Sequence, residues 1–522
     1  MFYPKREGAL QIAALGFIVF SFLEAKAQTA DLRAAEQSLA SGDVTGAQVA
    51  LARAIRTSPE TPVAFNLQGA IYAQQGNLEA AEQQFKAAIQ KDPGFKPAMM
   101  NLGRIYQLRA GEPGYLDRGI STYEKVLQLD PRSAEAHHQL ALLLHWRGSF
   151  SASLAHLNKL PVSDQERRAA MALRCADFAG LGDKRGAEAA AAKLLADPEL
   201  TEADVLSALP AIEAHDKPTA VRLLAGLESR NLASRSTLEK LAALAEESGE
   251  FPSARGAFER LFAADPSKPA PLLALARVAW KQKDYTATMS YLAHARDLEP
   301  NDPRTHFLFG LAANEMHAAQ DARRSLLKAV ELDPDNAYFH YALGVLQLQW
   351  KEKDAAVPHL RRYVEAHPED PRGRLALGYA YFSLFQDGDA KRELEPLTRI
   401  PAVGQGAELL LGRLASRADS FPAAVAHYRR LLELNPRSVE GRAELASLYS
   451  RSGDYAHGRI EAEAALKLDP ANYLANHALL RMYLAAKDPR AAEQAQRVQK
   501  IADKQGSDSL GSLQRSIEVR PY

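Results

Sequence analysis

Residues 337–370 read AYFHYALGVLQLQWKEKDAAVPHLRRYVEAHPED and contain two apolar-patterned segments separated by a short polar break. Apolar residues recur at helical spacing in each half: Leu343, Leu346 and Trp350, then Ala356, Leu360, Tyr363 and Val364. Pro368 follows the second segment, where its missing N–H and its effect on the preceding residue end a helix. The stretch therefore predicts a helix, a turn, a second helix and a stop.

The same unit recurs along the chain with a period of 34 residues. Three residue types mark the period: Pro266, Pro300, Pro334, Pro368, Pro436 and Pro470; Gly310, Gly344, Gly378 and Gly412; Ala322, Ala356, Ala390 and Ala424. A fixed period of this length is typical of stacked supersecondary units. We therefore expect one elongated array instead of several globular domains.

Small residues mark two features within each unit. Gly344 and Ala356 are predicted to lie where the two helices cross, because antiparallel helices approach closely only where side chains are small. Between the helices, a glycine followed by a polar residue predicts a left-handed end to the first helix and a cap for the second. This pair occurs at Gly42-Asp43, Gly76-Asn77, Gly148-Ser149, Gly182-Asp183 and Gly453-Asp454.

This pattern resembles the tetratricopeptide repeat, a helix-turn-helix unit of 34 residues that closes on a proline. One repeat matches at Gly69, Tyr72, Ala81, Phe85, Ala88 and Pro93, and the next at Leu102, Gly103, Tyr106, Tyr123 and Pro131. Fourteen contiguous repeats begin at Gln28, Pro62, Lys96, Ala134, Arg168, Glu202, Arg235, Pro269, Pro303, Ala337, Pro371, Gln405, Val439 and Tyr473. The resemblance implies an all-α fold, an α-solenoid of about fourteen stacked repeats forming a right-handed superhelix.

Departures from the period divide the chain further. We expect a signal peptide at residues 1–27, an N-terminal repeat block at 28–167, degenerate helical repeats with a hinge at 168–234, a C-terminal block at 235–506 and a poorly ordered tail at 507–522. The repeat from Lys96 has four extra residues, which Gly111 to Gly114 place in its turn. In the degenerate stretch, the second helix of one repeat is predicted to shrink to residues 187–195.

The N-terminus has the pattern of a secretory signal peptide. Lys5 and Arg6 precede an apolar run from Ala9 to Leu23, and small residues follow at positions 25 and 27. The alternative is an uncleaved anchor, but a run of 15 residues is shorter than the ~20 that a spanning helix needs. We expect an exported protein, periplasmic or extracellular, without stable membrane insertion after cleavage.

Composition argues against several classes of function. Lys plus Arg and Asp plus Glu each number 64, so the net charge is zero and nucleic-acid binding is not expected. Gly180, Gly182 and Gly186 approach a nucleotide-binding loop but are better explained as the turn of a repeat. Four histidines cluster at residues 137–156 without metal-ligand spacing, so we interpret them as surface or groove residues. We predict no cofactor, no metal, no catalytic residues and no enzymatic activity.

The resemblance implies that first helices line a concave surface that binds a protein or peptide partner. The corresponding positions form an apolar series: Leu273, Trp280, Phe307, Leu311, Tyr338, Tyr341, Val345, Tyr379 and Phe382. Nearer the N-terminus the same positions are more polar: Met100, Asn101, Arg104, His138 and Trp146. The alternative for each residue is packing against the adjacent repeat.

We therefore predict a non-catalytic protein-protein interaction scaffold. The second candidate is an accessory subunit of an envelope enzyme or export complex, for example one that handles polysaccharide. The sequence leaves the identity of the partner and the oligomeric state open.

Overall fold

The computed structural model describes residues 30–57, 60–504 and 519. The predicted signal peptide lies outside the described residues, as does the predicted tail apart from Val519. Within the described part of the chain there are 29 α-helices, one short 3-10 helix at Glu395–Leu397 and no strand. The helices fall into two compact units, which meet in sequence between Ala264 and Asp265.

The first unit contains fifteen helices, which form seven hairpins and one additional short helix. They are α1 (Ala30–Ala40), α2 (Val44–Thr57), α3 (Pro62–Gln74), α4 (Leu78–Lys91), α5 (Lys96–Leu108), α6 (Tyr115–Leu129), α7 (Ala134–Trp146), α8 (Phe150–Leu157), α9 (Val162–Gln165), α10 (Arg168–Gly180), α11 (Lys184–Ala196), α12 (Glu202–His215), α13 (Lys217–Ser229), α14 (Arg235–Ser248) and α15 (Phe251–Ala264).

The second unit contains seven further hairpins. Its helices are α16 (Ala270–Lys281), α17 (Tyr285–Leu298), α18 (Pro303–Glu315), α19 (Ala319–Leu332), α20 (Ala337–Gln349), α21 (Lys353–Ala366), α22 (Pro371–Ser383), α23 (Asp387–Leu394), α24 (Gly404–Arg417), α25 (Phe421–Leu434), α26 (Val439–Ser452), α27 (Tyr455–Leu468), α28 (Tyr473–Ala485) and α29 (Ala491–Lys504).

The fourteen hairpins confirm the predicted α-solenoid of helix-turn-helix repeats. First helices begin at Pro62, Lys96, Ala134, Arg168 and Glu202, each at the first residue of a predicted repeat. Within each unit the two helices of a hairpin pack together, and the second helix packs on the first helix of the next hairpin, except after α11, where α10 packs on α12 and α11 packs on α13. Each repeat therefore buries its apolar face against its neighbours, which is what a repeat of this size needs for stability.

The short turns follow the predicted chemistry. Gly76 and Gly182 take positive φ angles of 80° and 72°, in the left-handed region that glycine adopts without steric cost. The next residue then caps the second helix, since the Asn77 side chain accepts a hydrogen bond from the backbone N–H of Ala80. Gly182 and its neighbours are thus a repeat turn, as predicted, and the extra residues of the Lys96 repeat lie between α5 and α6.

Gly344 lies where α20 crosses α21. A Cβ added to Gly344 would sit 2.7 Å from Cγ of Leu360 and 3.3 Å from the carbonyl oxygen of Ala356. The two helices are therefore too close at this point for a larger residue, as the spacing of Gly344 and Ala356 predicts.

The stretch at 168–234 is more regular than its sequence suggests. The predicted shortening of one helix to residues 187–195 is wrong, because α11 runs from Lys184 to Ala196. The Asp183 side chain accepts a hydrogen bond from the N–H of Gly186, and an alanine-rich sequence with high helix propensity extends the helix. The hinge at this stretch stays a prediction.

Candidate functional site

The nine residues of the predicted apolar series lie in the second unit, in the first helices α16, α18, α20 and α22. Five are partly exposed: Leu273, Trp280, Tyr338, Tyr379 and Phe382. Four are buried: Phe307, Leu311, Tyr341 and Val345. We call the five partly exposed side chains the apolar track.

The four buried residues belong to the hydrophobic core of the unit, so for these four the alternative of packing against neighbouring helices holds in place of a groove position. Tyr341 has no exposed surface, and its ring centroid lies 4.6 Å from that of Tyr363 in α21. Phe307 stacks on Phe339 with centroids 4.7 Å apart. The physical reason is close packing, because helices 8–10 Å apart cover inward-facing positions of first helices as well as the seam of each hairpin.

Tyr338 lies at the centre of the apolar track. It packs against two buried clusters, one that includes Tyr341 and Val345 and another that includes Phe307 and Leu343. Its ring centroid lies 5.9 Å from that of Phe307 in an edge-to-face arrangement. Aromatic pairs of this kind stabilise the site beyond the area they bury and hold the ring in one orientation.

At one end of the apolar track, the guanidinium group of Arg417 packs on the ring of Phe382. The guanidinium carbon of Arg417 lies 4.5 Å from the ring centroid of Phe382 and 4.8 Å from that of Phe385. The same guanidinium donates to the carbonyl oxygen of Phe382 at 3.3 Å and pairs with Asp387. The ring of Phe382 is therefore held in place from the α24 side while it stays partly exposed.

Val519 is a site residue that the sequence reasoning missed. This residue near the C-terminus is partly buried and packs against the same two clusters as Tyr338. The surrounding sequence lacks the repeat period, so periodicity could not place it. The available signal was the alternation of apolar Ile517, Val519 and Pro521 with charged Glu518 and Arg520.

The polar positions of the first unit form an internal network. Arg104 is only 2% exposed; its guanidinium donates to Oδ1 of Asn101 at 3.4 Å and to Glu135 at 3.1 Å. The Asn101 amide donates in turn to Oδ1 of Asn66 at 3.0 Å. Met100 is also buried, whereas His138 and Trp146 keep partial exposure. These polar groups satisfy one another, as buried polar groups must, and they link three consecutive repeats.

Two histidine pairs join the helices of their hairpins. Nδ1 of His137 lies 2.9 Å from Nδ1 of His156, and Nδ1 of His340 lies 2.8 Å from Nδ1 of His359. Burial, together with the smaller effect of the facing histidine, lowers the pKa of His156 and of His359 to about 4. His137 is buried, so the interpretation of this cluster as surface or groove residues is wrong for it.

The described residues offer little other chemistry. In residues 30–57 and 60–504 no three His, Cys, Asp or Glu side chains are grouped so as to hold a metal ion. Burial raises the pKa of the Cys175 thiol to about 12, so the thiol stays protonated at neutral pH. Among the described helices, none has the length and apolar character that crossing a membrane requires.

Comparisons with known proteins agree with the repeat pattern. A tetratricopeptide-repeat model matches residues 32–94, 240–303, 307–371 and 409–462. The BBSome complex member bbs-4 of Caenorhabditis elegans is 25% identical over 201 residues, which are 37% of this chain and 43% of that protein. Cellulose synthase operon protein C of Pseudomonas fluorescens is 27% identical over 256 residues, 42% of this chain and 20% of that protein.

The chain thus spans less than half the length of these two curated relatives. Among solved structures, yeast Tom70 is 17% identical with a TM-score of 0.33, over 93% of each chain. The four matched segments consist of the helical hairpins described above. In these four segments the chain consists of repeats of the tetratricopeptide-repeat family.

Proposed function

We propose that this chain is a scaffold that binds an extended, apolar segment of a partner protein along the apolar track of its second unit. Tetratricopeptide repeats serve as protein-interaction scaffolds, and stacked repeats build extended surfaces for binding. The observation that carries the proposal is the track itself: five large apolar side chains, from three first helices of the second unit, stay partly exposed beside a packed core. Partly exposed aromatic side chains on a rigid base commonly dominate binding energy.

An extended ligand fits the track better than a helical one. Val519, which packs against the same two core clusters as Tyr338, is not in a helix. An extended segment directs every second side chain to the same face, so its apolar residues can contact the track side chains of α16, α20 and α22 while its polar residues face solvent.

We place this activity outside the cytoplasm, in the periplasm or beyond the cell. The support is the N-terminal sequence, in which basic residues, a 15-residue apolar run and small residues at positions 25 and 27 follow in the order of a signal peptide. Two-dimensional gels of cell fractions, or N-terminal sequencing of the mature chain beginning at Gln28, test this placement directly.

The second candidate is an accessory subunit of an envelope enzyme or export complex. The observation that favours it is the match to cellulose synthase operon protein C over 42% of this chain. In this candidate the catalytic step belongs to the partner, and the repeats supply only the binding surface. Co-purification of the chain with a polysaccharide-synthesising activity, lost when the apolar track is altered, would distinguish this candidate from a free scaffold.

A selection experiment tests the proposal. A library of random 12-residue peptides is displayed and selected on the full chain, and the selected peptides are measured by fluorescence anisotropy. We expect them to carry large apolar residues at alternate positions and to lose at least tenfold in affinity for Tyr379→Asp, which places a charge on the track. Leu327→Asp is the matched control, because Leu327 is 44% exposed in the second helix α19. Peptides that bind both variants equally would refute the proposal.

A further inference from the structure

Val519 packs against the two core clusters that support the apolar track. It packs against the cluster around Tyr341 and against the cluster around Phe307, and Tyr338 is the other partly buried residue that packs against both. Val519 and Tyr338 therefore share both clusters as packing partners, which places Val519 in the same part of the unit as the central residue of the track.

We propose that the C-terminal segment, residues 511–522 of this chain, is a built-in ligand of the apolar track and that a partner binds by displacing it. The inference rests on the proposed function, because it assigns the first occupant of the same track. The segment would therefore inhibit the scaffold. The fraction of molecules that bind a partner would depend on competition between the segment and the partner for the track.

The sequence of the segment fits this role. Ile517, Val519 and Pro521 alternate with Glu518 and Arg520. In an extended segment alternate residues share one side, so this sequence pattern would give Ile517, Val519 and Pro521 a common apolar side and the two charges the opposite side. This is the pattern expected of an extended ligand for a series of apolar side chains.

The length of the connection is sufficient. Fourteen residues lie between Lys504, at the end of α29, and Val519, and the fifteen Cα–Cα steps of an extended chain span about 50 Å. The last hairpin lies four repeats after the one that carries Tyr338. At about 8–10 Å for each pair of packed helices, four steps cover about 30–40 Å. The segment can therefore reach the track of its own chain.

A binding measurement on full-length chains tests the proposal. The probe is a fluorescein-labelled peptide of residues 511–522, and its affinity is compared between the wild-type chain and Val519→Asp. Tethering gives the segment a local concentration in the millimolar range. We therefore expect the peptide to bind Val519→Asp at least tenfold more tightly than the wild-type chain, since the altered segment no longer competes.

Three controls make the result specific. Ser507→Asp adds the same charge to the tail twelve residues away from Val519 and should leave the affinity at the wild-type value. A peptide carrying Val519→Asp should not bind either chain. Tyr379→Asp, combined with Val519→Asp, should abolish binding of the wild-type peptide.

The outcomes separate this inference from the proposed function. Equal affinity of the peptide for the wild-type and Val519→Asp chains overturns the inference, as does the absence of binding to both. If library-selected apolar peptides still bind the track in that case, the proposed function stands; if they also fail, both are refuted. Sedimentation velocity adds one check: a wild-type oligomer that Val519→Asp dissociates would mean that the segment docks on a second copy, which contradicts an intramolecular ligand.

Discussion

The imidazole rings of His340 and His359 face each other across one hairpin, with their Nδ1 atoms 2.8 Å apart. Nε2 of His340 lies 3.1 Å from the carbonyl oxygen of Pro334, which can only accept a hydrogen bond. The Nε2–H of His340 is therefore the donor to Pro334, and in the neutral ring its Nδ1 accepts the Nδ1–H of His359. Proton addition to the pair would place two N–H groups against each other.

This geometry predicts that acid weakens the hairpin. Burial lowers the pKa of His359 to about 4, and the pKa of His340 is also lowered, with Arg362 contributing to both shifts. The unfolded chain, with histidine pKa values near 6.5, binds more protons than the folded chain between pH ~6.5 and ~4. Stability from the pair is thus fully present above about pH 6.5 and is lost as the pH falls toward 4.

The test is the melting temperature from pH 7.5 to pH 4.5, followed by circular dichroism. We expect it to fall less steeply with acid in the double variant His340→Gln, His359→Gln than in the wild-type chain. His477→Gln, at an exposed position, is the control and should keep the wild-type slope. Parallel curves for the double variant and the wild type would show that the pair carries no pH dependence.

Identical glycine-to-alanine changes should have opposite effects at two helical positions. Gly344→Ala brings a Cβ to 2.7 Å from Leu360, and overpacking of this kind costs about 1–3 kcal/mol. A Cβ at Gly256 in α15 would have no atom within 4 Å, so Gly256→Ala should stabilise the chain by up to ~1 kcal/mol through helix propensity. Urea denaturation measures both, and a stabilised Gly344→Ala would contradict the close crossing of α20 and α21.

A charge placed in the hydrophobic core should destabilise the chain strongly, whereas the same charge at an exposed position of a second helix should destabilise it little. Leu343 has no exposed surface, so Leu343→Asp loses a packing contact and buries an unpaired charge, at a cost of several kcal/mol, roughly 3–5. Leu327→Asp, at a position 44% exposed, should shift stability by less than about 0.5 kcal/mol. Thermal melts of the two variants give the comparison, and equal shifts would refute the register of α20.

Removing the arginine of the buried network in the first unit should destabilise the chain more than removing the arginine of a surface ion pair. Arg104→Ala removes the donor to Oδ1 of Asn101 and one of the two donors to Glu135, which Gln139 also contacts, and should cost about 1–3 kcal/mol, the range for leaving a buried polar group unsatisfied. Arg147 lies 3.9 Å from Asp117 with both side chains exposed, so Arg147→Ala should cost less than about 1 kcal/mol. Hydrogen exchange shows where the stability is lost. We expect faster exchange in α5 and α7 and little change in distant repeats, because repeats contact only their neighbours. An unchanged exchange pattern for Arg104→Ala would contradict the network.

The repeat period predicted most of the fold because the same spacing recurs in fourteen hairpins. First helices begin at the predicted repeat starts Pro62, Lys96 and Ala134. The helices α20 and α21 cross closely at Gly344, as its spacing predicted. Local capping, as at Asp183, determined a helix length that the fading signature did not indicate. Periodicity therefore describes the array better than it describes the end of any single helix.

The candidate site was harder to predict, for two physical reasons. Tyr341 and Tyr338 occupy first-helix positions of the same kind, yet neighbouring helices bury Tyr341 completely and leave Tyr338 partly exposed. Val519 lies outside the period, so no rule of spacing relates it to the track. The two histidine pairs could have been predicted from the sequence, because His156 follows His137 and His359 follows His340 at the same separation of 19 residues.

The most direct test of the central claim separates binding from stability in the apolar track. The affinity of the tightest library-selected peptide is measured for the double variant Tyr338→Ser, Phe382→Ser and for Tyr341→Ser, together with the melting temperature of each. We predict that the double variant loses at least tenfold in affinity while its melting temperature falls less than that of Tyr341→Ser, whose ring is fully buried. Two results would contradict a partner-binding track. One is wild-type affinity in the double variant, and the other is a loss of affinity in the double variant accompanied by a larger fall in melting temperature than that of Tyr341→Ser.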